Sequence, residues 1–239
     1  MASTEDAPPL VTCILVIAHE GRINLARQAV NQFVMQTYTN KELVIINATD
    51  KQVLTQSWPG IQEIASPSAS IGALRNKALK VANGEWIKLW DDDDISNPLL
   101  LSYMMGARRA GHANLLQYQV RTNIVLNNAF AFHRESGIPA TMLFPNEADL
   151  SFEDISAGED TAFWIANFAN RTNAIKNDHE HTILLSVAVW HGKNATTAES
   201  FMDGNTEPAQ AGQILLTSKV TESFIKVMQD YGFKIEPIK

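Results

Sequence analysis

The chain has 239 residues, 45% hydrophobic and 19% charged, with a formal net charge of −7. That composition suits a globular protein with a sizeable core, either one large α/β domain or two small ones, and argues against a protein that coats nucleic acid by charge alone. A single cysteine, Cys13, excludes an intrachain disulfide; with no stretch near the ~18 apolar residues of a membrane span and no leader-like start, the expectation is a soluble, cytoplasmic protein.

Residues 10–18 form a continuous apolar run, the pattern of a strand buried on both faces. Ile23, Ala26, Val30, Phe33 and Val34 then recur at helical spacing across 22–36. Tyr38-Thr39-Asn40 interrupts, and 42–46 predicts a second buried strand. Strand, helix and strand in this order imply a parallel sheet with a right-handed crossover. Residues 52–70 are less regular, broken by Pro59, Gly60 and Pro67. Ser70 is placed to cap a helix over 72–82, with Leu74, Ala78 and Val81 on its apolar face and Gly84 as its stop. A strand over 86–90 follows, with Trp86 and Trp90 in the core, and runs into Asp91-Asp92-Asp93-Asp94. Asn97 and Pro98 read as the cap and first position of a helix over 98–109, which Gly111 ends. Further on, 114–126 and 129–133 predict antiparallel or mixed strands, 137–158 a loop, 159–169 a helix and 182–190 a strand. Residues 195–212 read as a loop or linker and 215–231 as an amphipathic helix.

The acidic run carries the most information. Four adjacent carboxylates repel one another, and a fold tolerates them best beside a cation. Ligands of open α/β sheets collect at the carboxyl ends of strands. The position suggests a divalent metal holding an anionic group; a solvated acidic loop with a helix cap is the alternative.

Several local patterns line up in order. Ser70-Ile71-Gly72-Ala73-Leu74-Arg75-Asn76-Lys77-Ala78-Leu79 is followed by Ala82-Asn83-Gly84-Glu85-Trp86-Ile87 and the acidic run. Then come Ala157-Gly158-Glu159-Asp160-Thr161-Ala162-Phe163 and Val189-Trp190-His191-Gly192-Lys193-Asn194. Together they resemble family 2 glycosyltransferases of the GT-A fold, over roughly residues 10 to 197. The resemblance implies an α/β, Rossmann-like fold: a mixed, mainly parallel sheet flanked by helices, with a more irregular acceptor-side half. It implies one domain, with residues 8–110 as the nucleotide-sugar-binding half, 111–197 as the acceptor and catalytic half, and 198–239 as a C-terminal loop and helix.

The implied reaction moves a sugar, with inversion, from a nucleoside diphosphate sugar to an acceptor hydroxyl. A metal at the diphosphate stabilises the leaving charge. Oxygen ligands suit Mg2+ or Mn2+, and an added imidazole favours Mn2+. By resemblance Asp91 and Asp93 are the D-x-D pair. Asp93 is the direct ligand, Asp91 a further ligand or nearer the ribose, and His191 the late metal-binding histidine. Asp92 and Asp94 leave the register open by one residue, and Asp92 counts among the donor contacts. Asp160 is implied as the base on the acceptor hydroxyl and Glu159 as its orienting neighbour, although an acid pair at a helix start also suits the helix dipole. Ala18, His19 and Glu20 are implied to border the base and ribose, and Arg75 to help hold the phosphates. Asn47 stands where the family commonly has an Asp reading the base, and Trp190 is a candidate for stacking near the acceptor.

Two other readings stay open. A haloacid-dehalogenase-type phosphatase also places D-x-D after an apolar strand, but near the chain start, whereas about ninety residues precede it here. A non-catalytic carbohydrate- or metal-binding domain is the second, although an EF-hand register from Asp92 puts Tyr103 at the twelfth position instead of Glu. The expected acceptor is a glycan or small molecule. A hydroxylated base in DNA is the minority alternative, if Arg108, Arg109, Arg121 and Arg134 converge into a phosphate-binding strip.

Overall fold

A computed structural model describes residues 7–123, 128–177, 185–190 and 214–215. β1 (Val11–Ile17) is an interior strand of the main sheet, and every one of its side chains is shielded from solvent at least in part. α1 (Ile23–Val34) crosses to β2 (Lys41–Asn47), which pairs parallel with β1 over its whole length. β3 (Ile61–Ala65) adds a parallel edge strand inside the stretch expected to be irregular. Its residues are half-exposed, so it lacks the apolar run that marks a buried strand.

α2 (Ile71–Leu79) is capped as expected: Ser70 Oγ accepts the Ala73 amide at 3.0 Å. It ends earlier than expected, and Val81 is exposed. Gly84 therefore does not stop it. Gly84 lies against β1, where a Cβ would come within 2.5 Å of the Thr12 nitrogen. β4 (Trp86–Leu89) pairs parallel with the other edge of β1, so the strand order reverses between β1 and β4.

Next comes β5 (Asp94–Ser96), a short strand just ahead of the expected helix start, and α3 (Leu100–Ala107) begins two residues late. Asn97 Oδ1 accepts the Leu99 amide at 2.9 Å, closing a turn ahead of the helix instead of capping it. β6 (Ala113–Leu116) returns to the main sheet. β7 (Tyr118–Asn123) and β8 (Asn128–His133) form an antiparallel ribbon of a second sheet. The supposed loop 137–158 contains a 3-10 turn, Pro139–Thr141, and β9 (Leu143–Pro145), which inserts antiparallel between β4 and β6. α4 (Glu159–Phe168) leads to β10 (Thr172–Ile175), parallel to β6. β11 (Ser186–Trp190) joins the second sheet between β7 and β5, and β12 (Ile214–Leu215) pairs with β8. The main sheet thus runs β10-β6-β9-β4-β1-β2-β3, mainly parallel with β9 reversed.

Alternation along β1 assigns its residues to two cores. Val11, Cys13, Leu15 and Ile17 pack with α1 and α3, while Ile14 packs with Leu74 and Ala78 of α2 and Phe163 of α4. Trp90 belongs to the first core, its Nε1 donating to the Ala29 carbonyl at 3.0 Å. Burial pushes the Cys13 thiol up to about 12, as suits an inert packing thiol. Among the described residues, no helix is long and apolar enough to cross a membrane. The linker expected at 195–212 and the helix expected from 215 lie outside the described residues, apart from Ile214–Leu215, which are β12.

Candidate functional site

The strand-order reversal between β1 and β4 opens a cleft of about 760 Å3 at their carboxyl ends, the place where such sheets take ligands. Ala18 and His19 follow β1, and Asp91 to Asp94 follow β4. Arg75 comes from α2, Glu159 and Asp160 from the first turn of α4, and Gln119, Arg121, Phe132 and Arg134 from the β7–β8 ribbon. The acidic run, the acid pair and the Ala18-His19 step therefore share one cavity.

Two expected residues lie apart from it. Glu20 pairs with Lys51 at 3.1 Å on the surface. Asn47 is buried and its amide is committed: Nδ2 donates to Glu63 Oε1 at 2.7 Å and to the Lys51 carbonyl at 2.8 Å, while Oδ1 accepts the Thr49 amide. It braces the turn after β2. His191 and the Trp190 side chain lie outside the described residues.

α2 organises the acid pair. A Cβ on Gly72 would lie 1.8 Å from the Glu153 carbonyl oxygen, so only glycine lets the 152–156 segment come this close. Asn76 donates to the Phe152 carbonyl at 2.9 Å and accepts its amide at 2.7 Å. The segment then turns through Gly158, at φ 73°, into α4. Arg75 forks between the two ends of the cleft: Nη2 lies 2.8 Å from Asp91 Oδ1 and Nη1 2.7 Å from Glu159 Oε1. The second contact is a charge pair whose angle falls short of a hydrogen bond. Burial alone would lower the Arg75 pKa, but Asp91 and Glu159 carry it above the ordinary arginine value. Burial also raises Glu159.

The acidic run is divided among partners. Arg22 grips Asp92, with Nε donating to Oδ2 at 2.7 Å and Nη2 to Oδ1, and Nη2 also lies 2.6 Å from Asp93 Oδ2. Burial lifts Asp92 to about 6 in spite of Arg22. Asp94 stands well above the ordinary carboxylate value, through burial first and then Asp91 and Asp93. Six carboxylates (Asp91 to Asp94, Glu159 and Asp160) face four guanidinium groups (Arg22, Arg75, Arg121 and Arg134) in the cleft. The buried Lys88 also acts on Asp91 and Asp94, and burial raises Asp91 as it does Asp92, Asp94 and Glu159. The oxygen donors of Asp91 and Asp93 are of the type that Mg2+ or Mn2+ takes. No cluster of three or more His, Cys, Asp or Glu suited to a metal forms among the described residues.

The arginine strip does not assemble. Arg121 and Arg134 reach the cleft. Arg108 donates to the Met105 carbonyl and lies over Trp86, and neither it nor Arg109 lines the cavity. Sequence reasoning also missed two residues. Asn76 stood inside a quoted motif without a role. Arg22 had no local signal, because its pairing with Asp92 spans 70 positions.

Comparison with known proteins agrees with this geometry. The model of glycosyl transferase family 2 matches residues 13–170. No curated protein matches the chain. Among solved structures, Staphylococcus aureus TarS 1-349 in complex with UDP is similar at a TM-score of 0.58 and 14% identity, covering 84% of this chain and 68% of that one. The same TarS segment in complex with UDP-GlcNAc gives 0.57 at 14% identity, over 95% and 68%. A longer TarS chain gives 0.50 at 15% identity, over 84% of this chain and 41% of that one. These likenesses bear out the GT-A architecture, and the family match identifies the chain as a glycosyltransferase belonging to glycosyl transferase family 2.

Proposed function

We propose that the chain transfers a sugar, with inversion, from a nucleoside diphosphate sugar to an acceptor hydroxyl, with Mn2+ or Mg2+ held by Asp91 and Asp93. The observation that carries this reading is the Arg75 fork, which joins Asp91 on the donor side to Glu159 beside the base within one cleft. The UDP and UDP-GlcNAc complexes of TarS support a uridine nucleotide as the donor class. This reading keeps Asp91 and Asp93 as the D-x-D pair; it is supported by Asp92, both of whose oxygens Arg22 holds, and by Asp94, which begins β5. His191 is the third ligand in this reading, by its place in the family pattern.

Bound there, the metal would supply positive charge at the leaving diphosphate. Asp160 is the general base: it accepts the acceptor hydroxyl proton as the oxygen attacks the anomeric carbon, and the nucleoside diphosphate departs with the electron pair of the broken bond. Its Oδ1 accepts the Thr161 amide at 2.7 Å, which leaves Oδ2 for the proton. Glu159, buried on Arg75, positions the start of α4. Ala18 and His19 flank the nucleotide, while Glu20 and Asn47 support the loop beside it. The acceptor is a glycan or small molecule; a DNA base loses ground because Arg108 and Arg109 lie away from the cleft.

The test is hydrolysis and binding of a panel of nucleotide sugars with Mn2+, Mg2+ or chelator. Metal-dependent hydrolysis of one donor class is the expected result. Nucleotide affinity indifferent to either metal would remove the metal from this account, and no affinity for any nucleotide would remove the whole of it.

A further inference from the structure

Gln119 of β7 is a buried amide that lines the cleft and has no part in the chemistry described so far. Only 1% of it is exposed. Its Nε2 donates to Ser186 Oγ on β11 at 2.9 Å, which anchors the amide plane. Among the described residues nothing donates to its Oε1, and the cleft is the open space that this side chain meets. A buried carbonyl oxygen without a donor is costly, and a ligand that donates to it relieves the cost. With the amide nitrogen spent on Ser186, the group left for a ligand is an acceptor. It suits a hydroxyl or an N–H and disfavours a phosphate or carboxylate, which can only accept.

Strand register places this oxygen relative to the rest of the cleft. Gln119 lies beside Ser186, one position before the Val120–Val187 pair, and Ser186 in turn is opposite Ser96 of β5. Two residues along, Arg121, Ala188 and Asp94 form a row across the same three strands. Alternation puts Gln119 on the face of those three, and all of them line the cleft. β7 therefore runs two strand spacings, about 10 Å, from the strand that continues the acidic run. Arg121 feels the charge of both Asp94 and Asp160, so this face lies between the acidic run and the acid pair of α4. In the proposed reaction the transferred sugar occupies that interval, because its anomeric carbon must sit between the diphosphate and the attacking hydroxyl. Phe132, opposite Gln119 on β8, adds an apolar wall beside the amide.

Resting on the nucleotide-sugar reading, we propose that Gln119 Oε1 accepts a hydrogen bond from a hydroxyl of the transferred sugar and so takes part in choosing that sugar. Ser186 is the positioning residue that keeps the amide turned for this contact. A donor whose hydroxyl is missing or aimed elsewhere leaves the buried oxygen unpaired, and a site built to bond a hydroxyl rejects analogues that lack it.

The test is calorimetry on the full chain with Mn2+, using UDP, UDP-GlcNAc and the 3-, 4- and 6-deoxy analogues of UDP-GlcNAc. Gln119→Met keeps the length and removes the oxygen. It should weaken UDP-GlcNAc by about tenfold while UDP affinity holds. For one of the deoxy analogues the parent and the variant should bind alike, because the hydroxyl that Gln119 meets is already gone. Ser186→Ala frees the amide to turn; it should also weaken UDP-GlcNAc, and it keeps the test open if Gln119→Met fails to fold. UDP-GlcNAc bound equally well by the parent and both variants overturns the proposal. So does an equal loss for UDP and UDP-GlcNAc, which would make Gln119 a structural prop. A variant loss of the same size for every deoxy analogue also overturns it, since the partner of Gln119 would then not be a sugar hydroxyl. Failure of UDP itself to bind the parent would instead bring down the nucleotide-sugar reading.

Discussion

Asn76 clasps the backbone of Phe152, donating to its carbonyl at 2.9 Å and accepting its amide at 2.7 Å. One helical side chain thereby pins the segment that delivers Glu159 and Asp160 to the cleft. Asn76→Asp keeps the size but removes the donor, setting a carboxylate against the Phe152 carbonyl. We expect a loss of about 1–3 kcal/mol in urea denaturation, together with a reduced kcat at unchanged UDP affinity. A variant with the parent's denaturation midpoint would show the clasp to be idle.

Arg75 is buried between the carboxylates of Asp91 and Glu159. Arg75→Met should cost about 3–5 kcal/mol, because it strands both charges. Arg75→Lys should fall between, since an ammonium lacks the fork that reaches Asp91 and Glu159 together. Equal stability of the Met and Lys variants would contradict the fork.

Asp160→Asn keeps the hydrogen bond to the Thr161 amide through its carbonyl oxygen but cannot take a proton. Transfer should fall by about 10²–10⁴-fold, while calorimetry finds UDP bound as in the parent. Unchanged turnover would remove Asp160 as the base.

Asp92 and Asp93 differ by one position and are assigned different work. Asp93→Asn should raise the Mn2+ concentration needed for UDP binding. Asp92→Asn should chiefly loosen Arg22 and show as lost stability. The reverse outcome would shift the D-x-D register by one residue.

Arg171 meets Glu147 with two parallel bonds, at 2.7 and 2.6 Å, near the surface. The hydrogen bonds from Arg171 hold the Glu147 carboxyl below its ordinary value of 4.5. A carboxylate with a depressed native pKa stabilises the fold above its unfolded pKa, and that contribution fades as pH falls through the native value. Glu147→Gln should thus cost less than about 1 kcal/mol at pH 7, with the two proteins converging as the pH drops below 4.5. A gap that stays constant in urea melts across that range would refute the linkage.

The parallel core was legible because buried strands and amphipathic helices repeat with their own periods: β1, α1, β2, α2 and β4 stood where the pattern put them, to within a few residues. β3 and β9 were not, for different reasons. β3 is a half-exposed edge, and β9 is only three residues long and pairs with strands far away in sequence. The motif residues Arg75, Asp91, Asp93, Glu159 and Asp160 do converge, which local patterns announced. Arg22 was invisible, since its meaning lies in a contact across the fold. Gly84 was misread as a helix stop because the same residue type also permits a close crossing of two backbones.

The reversed strand β9 has a consequence for anyone wishing to recombine this enzyme. Leu143, Phe144 and Pro145, far downstream of β4 in the chain, complete its edge in the main sheet. A fragment stopped near residue 110 would leave that edge bare and ready to recruit a neighbouring chain. Grafts that exchange the chain beyond residue 110 must leave these three residues behind with the host, because the tradable pieces of this protein are interlaced and do not follow one another along its length.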